Sequence, residues 1–117
     1  MARGIFYVET WPSAPEREAE YNHWYDHVHL PDVCSVEGFV GARRYAPADG
    51  NGPHVAIYEI EADDLQGAVQ RLLAAFDAGE FRMSDAIQTD PPPVTRLLRL
   101  ITTHDTAAAR TSSPGES

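Results

Sequence analysis

Tyr21-Asn22-His23-Trp24-Tyr25-Asp26-His27-Val28-His29-Leu30-Pro31-Asp32 is the stretch around which the chain is organised, and it carries three of the five histidines. At about 100° per residue, Tyr21, Trp24, Tyr25, Val28 and Asp32 share one stripe of an amphipathic helix, which must face a covering layer. His23 and His27 fall on the opposite, solvent side. His29 lies about 80° from the stripe centre, at the margin of the buried face, beside Asn22 and not far from Asp26. Upstream, Ser13-Ala14-Pro15-Glu16 reads as the helix start. Ser13 is the expected N-cap, Glu16 stands at N3 as in a capping box, and Pro15 is tolerated in the first turn. Downstream, Pro31 disfavours the α conformation at Leu30, so His29 is the expected last helical residue, with a short further turn over 31–34.

The flanking segments are strands. Residues 4–11 (GIFYVETW) are β-branched and aromatic up to Pro12, as suits a central strand. Residues 39–45 (FVGARRY) and 54–61 (HVAIYEIE) form a hairpin pair across the turn-rich loop 46–53. Asp63-Asp64 precede a second helix with Leu65, Val69, Leu72, Leu73 and Phe76 on one face, and Gly79 is its expected C′ residue. Residues 82–93, with a triple proline, form a long connection that can act as a lid. Residues 94–102 (VTRLLRLIT) are the fourth strand. The order β-α-β-β-α-β is the ferredoxin-like α+β pattern, a four-stranded antiparallel sheet with both helices on one face. One such domain is expected over residues 1–103, with 104–117 as a disordered tail. The last strand is apolar on both faces, which predicts that a second sheet packs on the bare side of the first, giving a homodimer.

Composition narrows the function classes. The net charge is −9, and all nine basic residues are Arg. An acidic chain with no basic cluster predicts no nucleic-acid or anionic-membrane partner. The single Cys34 excludes an internal disulfide and a cysteine zinc cluster. No leader pattern and no membrane-length apolar run is visible, so a cytoplasmic location is expected. There is no phosphate-binding glycine loop, nucleophile elbow or dinucleotide fingerprint, and no cofactor is expected.

Proton transfer by His29 is the chemistry that remains. The helix end favours its protonated form, as does Asp26 one turn away, while burial beside Trp24 and Tyr25 opposes it. The alternative is a histidine that only caps a helix carbonyl. Tyr21, Trp24, Tyr25 and Val28 read mainly as core, with the Tyr25 hydroxyl able to line a pocket. His23 and His27 have metal-ligand spacing, but both point outward and no metal site is expected. Arg43 and Arg44 alternate across the sheet, so one approaches the helices, either to anchor a substrate oxyanion or to pair with an acid. Tyr7, Tyr45 and Tyr58 carry strand hydroxyls that can serve the same pocket.

Tyr21-Asn22-x-Trp24-Tyr25-Asp26-x-x-His29-Leu30-Pro31-Asp32, Glu37-Gly38-Phe39, Ala42-Arg43-Arg44-Tyr45 and Ile57-Tyr58-Glu59-Ile60 together resemble the dimeric α/β-barrel superfamily, and more narrowly its EthD-like group. The resemblance spans about residues 4–102, and His29 matches the characteristic histidine of the group. It implies a homodimer whose two sheets form a barrel, with a small-molecule pocket between sheet and helices in each subunit. Relatives include cofactor-free monooxygenases, polyketide cyclases, muconolactone-type isomerases and dehydratases, so the fold alone does not fix the reaction. The expectation is a cofactor-independent enzyme performing cyclisation, isomerisation or dehydration on an aromatic or polyketide-like molecule. His29 would move the proton, Asp26 or Asn22 would orient it, and Arg44 or a tyrosine would stabilise the oxyanion. Trp24, Tyr25, Tyr7 and Tyr58 would contact the substrate. The alternatives are a cofactor-free monooxygenase and a non-catalytic dimeric metabolite-binding protein.

Overall fold

The computed structural model describes residues 1–106, so the expected tail beyond Thr106 lies outside the described residues. Strands β1 (Ala2–Thr10), β2 (Phe39–Tyr45), β3 (His54–Ala62) and β4 (Val94–Arg99) form one antiparallel sheet in the order β2-β3-β1-β4. This is the expected ferredoxin-like α+β fold. β4 stops short of the expected Thr102, although the Leu100 N–H still donates to the Arg3 carbonyl at 2.9 Å.

Cross-strand partners share a face, and the registers define two rows. Phe6, Tyr58, Ala42 and Leu97 pair across the sheet on the helix side. Tyr7, Ile57, Arg43 and Arg96 pair on the bare side. The core is one-sided: Phe6, Val8, Ala56, Tyr58 and Ile60 are buried under the helices, whereas Ile5, Tyr7 and Ile57 are only half-buried.

Helix α3 (Leu65–Asp77) begins and ends as its sequence predicts. The Asp64 carboxylate accepts from the Gln66 N–H at 3.1 Å. At the far end Gly79 adopts φ +75, and the Gly79 and Glu80 N–H groups donate to the Phe76 and Ala75 carbonyls. This is a Schellman closure, and a glycine takes the left-handed conformation there without a Cβ penalty.

The first helical region departs from expectation in two ways. No capping box forms: the Ser13 N–H donates to the Ala86 carbonyl at 2.6 Å, and a 3₁₀ turn (Pro15–Arg17) leads in without a side-chain cap. Nor does the helix stop at His29. It runs as α1 (Glu18–Trp24), a π turn (Tyr25–His29) and α2 (Leu30–Cys34), with Leu30 at φ −58, ψ −46. The Leu30 N–H reaches back five residues to the Tyr25 carbonyl. In an unbroken α-helix the Pro31 ring would press on the carbonyl four residues earlier and leave it without a donor. A π turn holds one extra residue and opens the backbone at that point.

The extra residue changes which side chains face the sheet. It sets back the phase of everything after it by up to about 100°. Val33 is thereby buried, Asp32 leaves the buried stripe assigned to it, and His29 moves from the margin toward the sheet.

Candidate functional site

A cavity of about 250 Å³ lies between the helix side of the sheet, the π turn and α3. Phe6, Val8, Thr10 and Tyr58 form its floor. Val69, Leu72, Leu73 and Phe76 of α3 form one wall, and Tyr25, His29 and Val33 form the opposite wall. Leu73 and Phe76 are 50% and 48% exposed and mark the open side.

The cover comes from the 80–93 connection, whose Phe81, Met83 and Ile87 line the cavity. Its first half is fixed to the first helical region and to the chain just before it. The Trp24 Nε1–H donates to the Arg82 carbonyl at 2.7 Å, and Asp32 accepts from the Arg82 N–H and guanidinium at 2.7–3.3 Å. Further along, Arg17 bonds Asp85, and the Gln88 N–H donates to the Trp11 carbonyl. The possible lid is thus a tethered wall in this structure. Its lining residues were missed from sequence because a loop without periodicity does not reveal which of its side chains turn inward.

His29 sits where the cavity meets the helix. Its ring stacks on Trp24 with centroids 4.7 Å apart, and meets Tyr25 and Phe81 edge-on at 5.1 and 6.1 Å. Nδ1 is sealed from solvent and has no hydrogen-bond partner, so Nε2 is the nitrogen left to meet a ligand. Burial drives the His29 pKa down to about 4, with the nearby Asp32 charge opposing. The helix continues through His29, so no helix end exists there for it to cap. The imidazole is neutral at pH 7, and drawing a proton from it as an acid would cost about 4 kcal/mol. Its resting form is that of a base, and the imidazolium formed when it accepts a proton carries the same burial cost.

Asp26 and Asn22 do not orient His29. Both bind Arg44 instead: its guanidinium donates to Asp26 Oδ1 at 2.7 Å and to Asn22 Oδ1 at 3.0 Å. On α1 and the π turn these two side chains point toward β2, where Arg44 rises on the helix side of the sheet. Arg44 does not enter the cavity either, because the Tyr25 ring stands between, 4.4 Å from the guanidinium carbon. Tyr7 is on the bare face, where its hydroxyl donates to Glu9 at 2.7 Å, and it cannot join a pocket on the helix side. Trp24 supports His29 without lining the cavity. Tyr25 and Tyr58 do line it, with their hydroxyls 3.5 Å apart, and burial pushes both phenols up.

The remaining candidates stay outside. His23 and His27 are exposed, with rings 4.6 Å apart, and no group of three or more metal-ligating side chains occurs among the described residues. Arg43 pairs with Glu59 at 3.1 Å on the bare face. Cys34 is half-buried with its thiol pushed up by burial, unlike a nucleophile. A larger open cleft of about 460 Å³ on the bare face is lined by Arg3, Ile5, Glu61 and the 98–103 segment, and holds no histidine or tyrosine. No helix among the described residues is long and apolar enough to cross a membrane.

The fold and this site define an α+β ferredoxin-like protein with an apolar, partly open cavity between sheet and helices. The sequence matches no protein-family model and no curated protein. Among solved structures it is similar to a provisionally assigned monooxygenase from Shewanella loihica PV-4, with TM-score 0.56 and 16% identity over 87% of this chain and 97% of that one. It is also similar to a monooxygenase from the gene ActVA-Orf6 of Streptomyces coelicolor, solved with the ligand nanaomycin D, with TM-score 0.59 and 17% identity over 89% and 93% of the two chains. At these identities the likeness is one of fold.

Proposed function

We propose that this chain is a cofactor-independent enzyme that removes a proton from an enolisable aromatic or polyketide-like small molecule, with His29 as the base. One observation carries the reading: a neutral imidazole, with Nδ1 sealed off and Nε2 left to meet a ligand, stands in the wall of an apolar cavity. Cyclisation and isomerisation both start from the enolate that such a base produces. Dehydration by a histidine acid would start from a protonated form that is not the resting form of His29 at pH 7. The EthD-like sequence pattern around His29 supports the same assignment. The half-buried Ile5, Ile57 and Leu98, set on the bare face among Arg43, Glu59 and Arg96, support a homodimer built sheet to sheet.

A second reading shares the first step. The enolate reacts with dioxygen, so that a CH₂ group and O₂ become a carbonyl and water, and the substrate supplies the electrons. The fold likeness to two proteins described as monooxygenases favours it.

Anthrone, a flat ketone with an acidic CH₂, tests both readings. Exchange of that CH₂ in D₂O is followed by NMR while an electrode follows oxygen. The wild type should accelerate exchange, and His29→Ala should lose about 10²-fold or more of it while circular dichroism shows a folded chain. A folded His29→Ala that exchanges anthrone at the wild-type rate removes His29 from the chemistry. Exchange without oxygen uptake removes the monooxygenase reading and leaves the first.

A further inference from the structure

The cavity has one polar end, and no positive charge faces into it. Four arginines stand on the helix side of β2 or on the covering elements, and each is committed, Arg71 of α3 to the Glu37 carbonyl. Arg44 is held by Asn22 and Asp26, Arg82 by Asp32, and Arg17 by Glu20 and Asp85. None of them lines the cavity. The one titratable base that does, His29, is neutral at pH 7. A carboxylate or phosphate entering this space would give up water and find no cation, a large penalty in an apolar setting.

Donors for a neutral oxygen are present. Tyr58 donates to the Tyr25 oxygen at 3.5 Å, which leaves the Tyr25 O–H proton to point to a ligand or to Thr10. Thr10, alongside, is engaged with the Tyr21 hydroxyl. Behind Tyr25, on the side away from the cavity, the Arg44 guanidinium lies 4.4 Å from the ring centroid with its side chain 12% exposed. A cation on the face of a phenol draws density from the ring and makes its O–H a stronger donor. Arg44 thus acts on a ligand only through Tyr25, which makes it a positioning residue.

We infer that the Tyr25 hydroxyl, backed by Arg44, is the recognition point for a carbonyl or phenolic oxygen, so that the cavity takes uncharged ring compounds and rejects their carboxylates. This rests on the cavity being a ligand site, as the proposed function requires, and it narrows that reading. Substrates that must carry a carboxylate, such as muconolactones, fall outside it.

Calorimetric titration of the full chain with 2-naphthol and with 2-naphthoate at pH 7 tests the inference. The two probes share a ring system and differ in charge. The naphthol should bind, and the naphthoate should bind about a hundredfold more weakly or not at all. Tyr25→Phe should weaken naphthol binding about tenfold, and Tyr25→Phe with Tyr58→Phe should do so at least as much, since Tyr58 can take over as donor in the single variant. Arg44→Gln, which keeps the polar partners of Asn22 but removes the charge, should weaken naphthol binding and leave the weak naphthoate binding as it is. Naphthoate binding as tight as naphthol overturns the inference while the proposed function stands. So does naphthol binding unchanged in the double phenylalanine variant. If neither probe binds, the cavity is not a ring-compound site, and both the inference and the proposed function fail.

Discussion

His29 should lower the acid stability of this protein by a calculable amount. Its folded pKa is about 4, against an ordinary value of 6.5. Between those values the unfolded chain binds a proton that the folded chain refuses. The stability that follows from a neutral His29 is therefore present above pH 6.5 and lost as pH falls toward 4. The full difference is worth about 3.4 kcal/mol, and about 2.4 kcal/mol of it is lost between pH 7 and pH 4.5. Asp32 and Asp85, whose carboxyls lie below the usual range beside Arg82 and Arg17, and His54, lowered chiefly by burial, add slopes of the same sign. The quantity to measure is therefore a difference of differences. Urea unfolding of wild type and His29→Leu is compared at pH 7 and pH 4.5, and the wild type should lose about 2.4 kcal/mol more than the variant. NMR titration of the histidine ring protons should place one histidine near pH 4 in the wild type and none there in His29→Leu. Equal pH slopes in the two proteins, or a His29 that titrates in the usual histidine range, would refute the burial argument.

Arg44→Met should cost about 2–3 kcal/mol in urea unfolding, because two hydrogen bonds and a cation–π contact go together, whereas His23→Ala should stay within about 0.5 kcal/mol. Asp64→Ala should lower stability by about 1 kcal/mol through the lost cap of α3, with the same assay and an unchanged m-value. In Gly4→Ala the new Cβ would lie 2.5 Å from the Leu98 carbonyl oxygen and 2.9 Å from Leu65 Cδ1. That crowding should cost about 1–3 kcal/mol and speed amide exchange along β4 relative to β3.

The sheet was legible because its signals are local. The β-branched and aromatic run of β1, the turn-rich 46–53 segment between β2 and β3, and the Asp64 and Gly79 stops of α3 each depend on a few neighbouring residues. The site was legible in part. Tyr25, Tyr58 and His29 were selected as pocket residues and all three line the cavity. The misplaced ones fail for two reasons. Asp26 and Asn22 were assigned to His29 on closeness along the helix, but Arg44 of β2, read from strand alternation as an oxyanion anchor or an acid's partner, takes both oxygen acceptors. Tyr7 was assigned without strand register, and one residue of register decides which face a strand side chain occupies. The reading of Pro31 was right about the conflict it creates and wrong about its resolution. A proline that clashes with an α turn can be accommodated by a wider turn as well as by a helix end.

That resolution ties the fold to the chemistry. With a continuous α phase, Asp32 would face the core and His29 would graze its edge. The π turn instead buries Val33, frees Asp32 to hold the cavity cover through Arg82, and carries His29 inward onto Trp24. A partnerless buried nitrogen costs about 1–3 kcal/mol, so this arrangement persists only if other contacts hold it. The Trp24–Arg82 and Asp32–Arg82 bonds hold the wall on one side of the ring, and the Arg44 clamp on Asn22 and Asp26 holds the helix on the other. None of these residues lines the cavity, yet together they fix the ring with its sealed Nδ1 turned away and Nε2 left to meet a ligand. Local rules are broken here in a cluster, at Pro31, at the π turn and at Nδ1, and compensated by contacts around them, which is where a folded chain is expected to place its function.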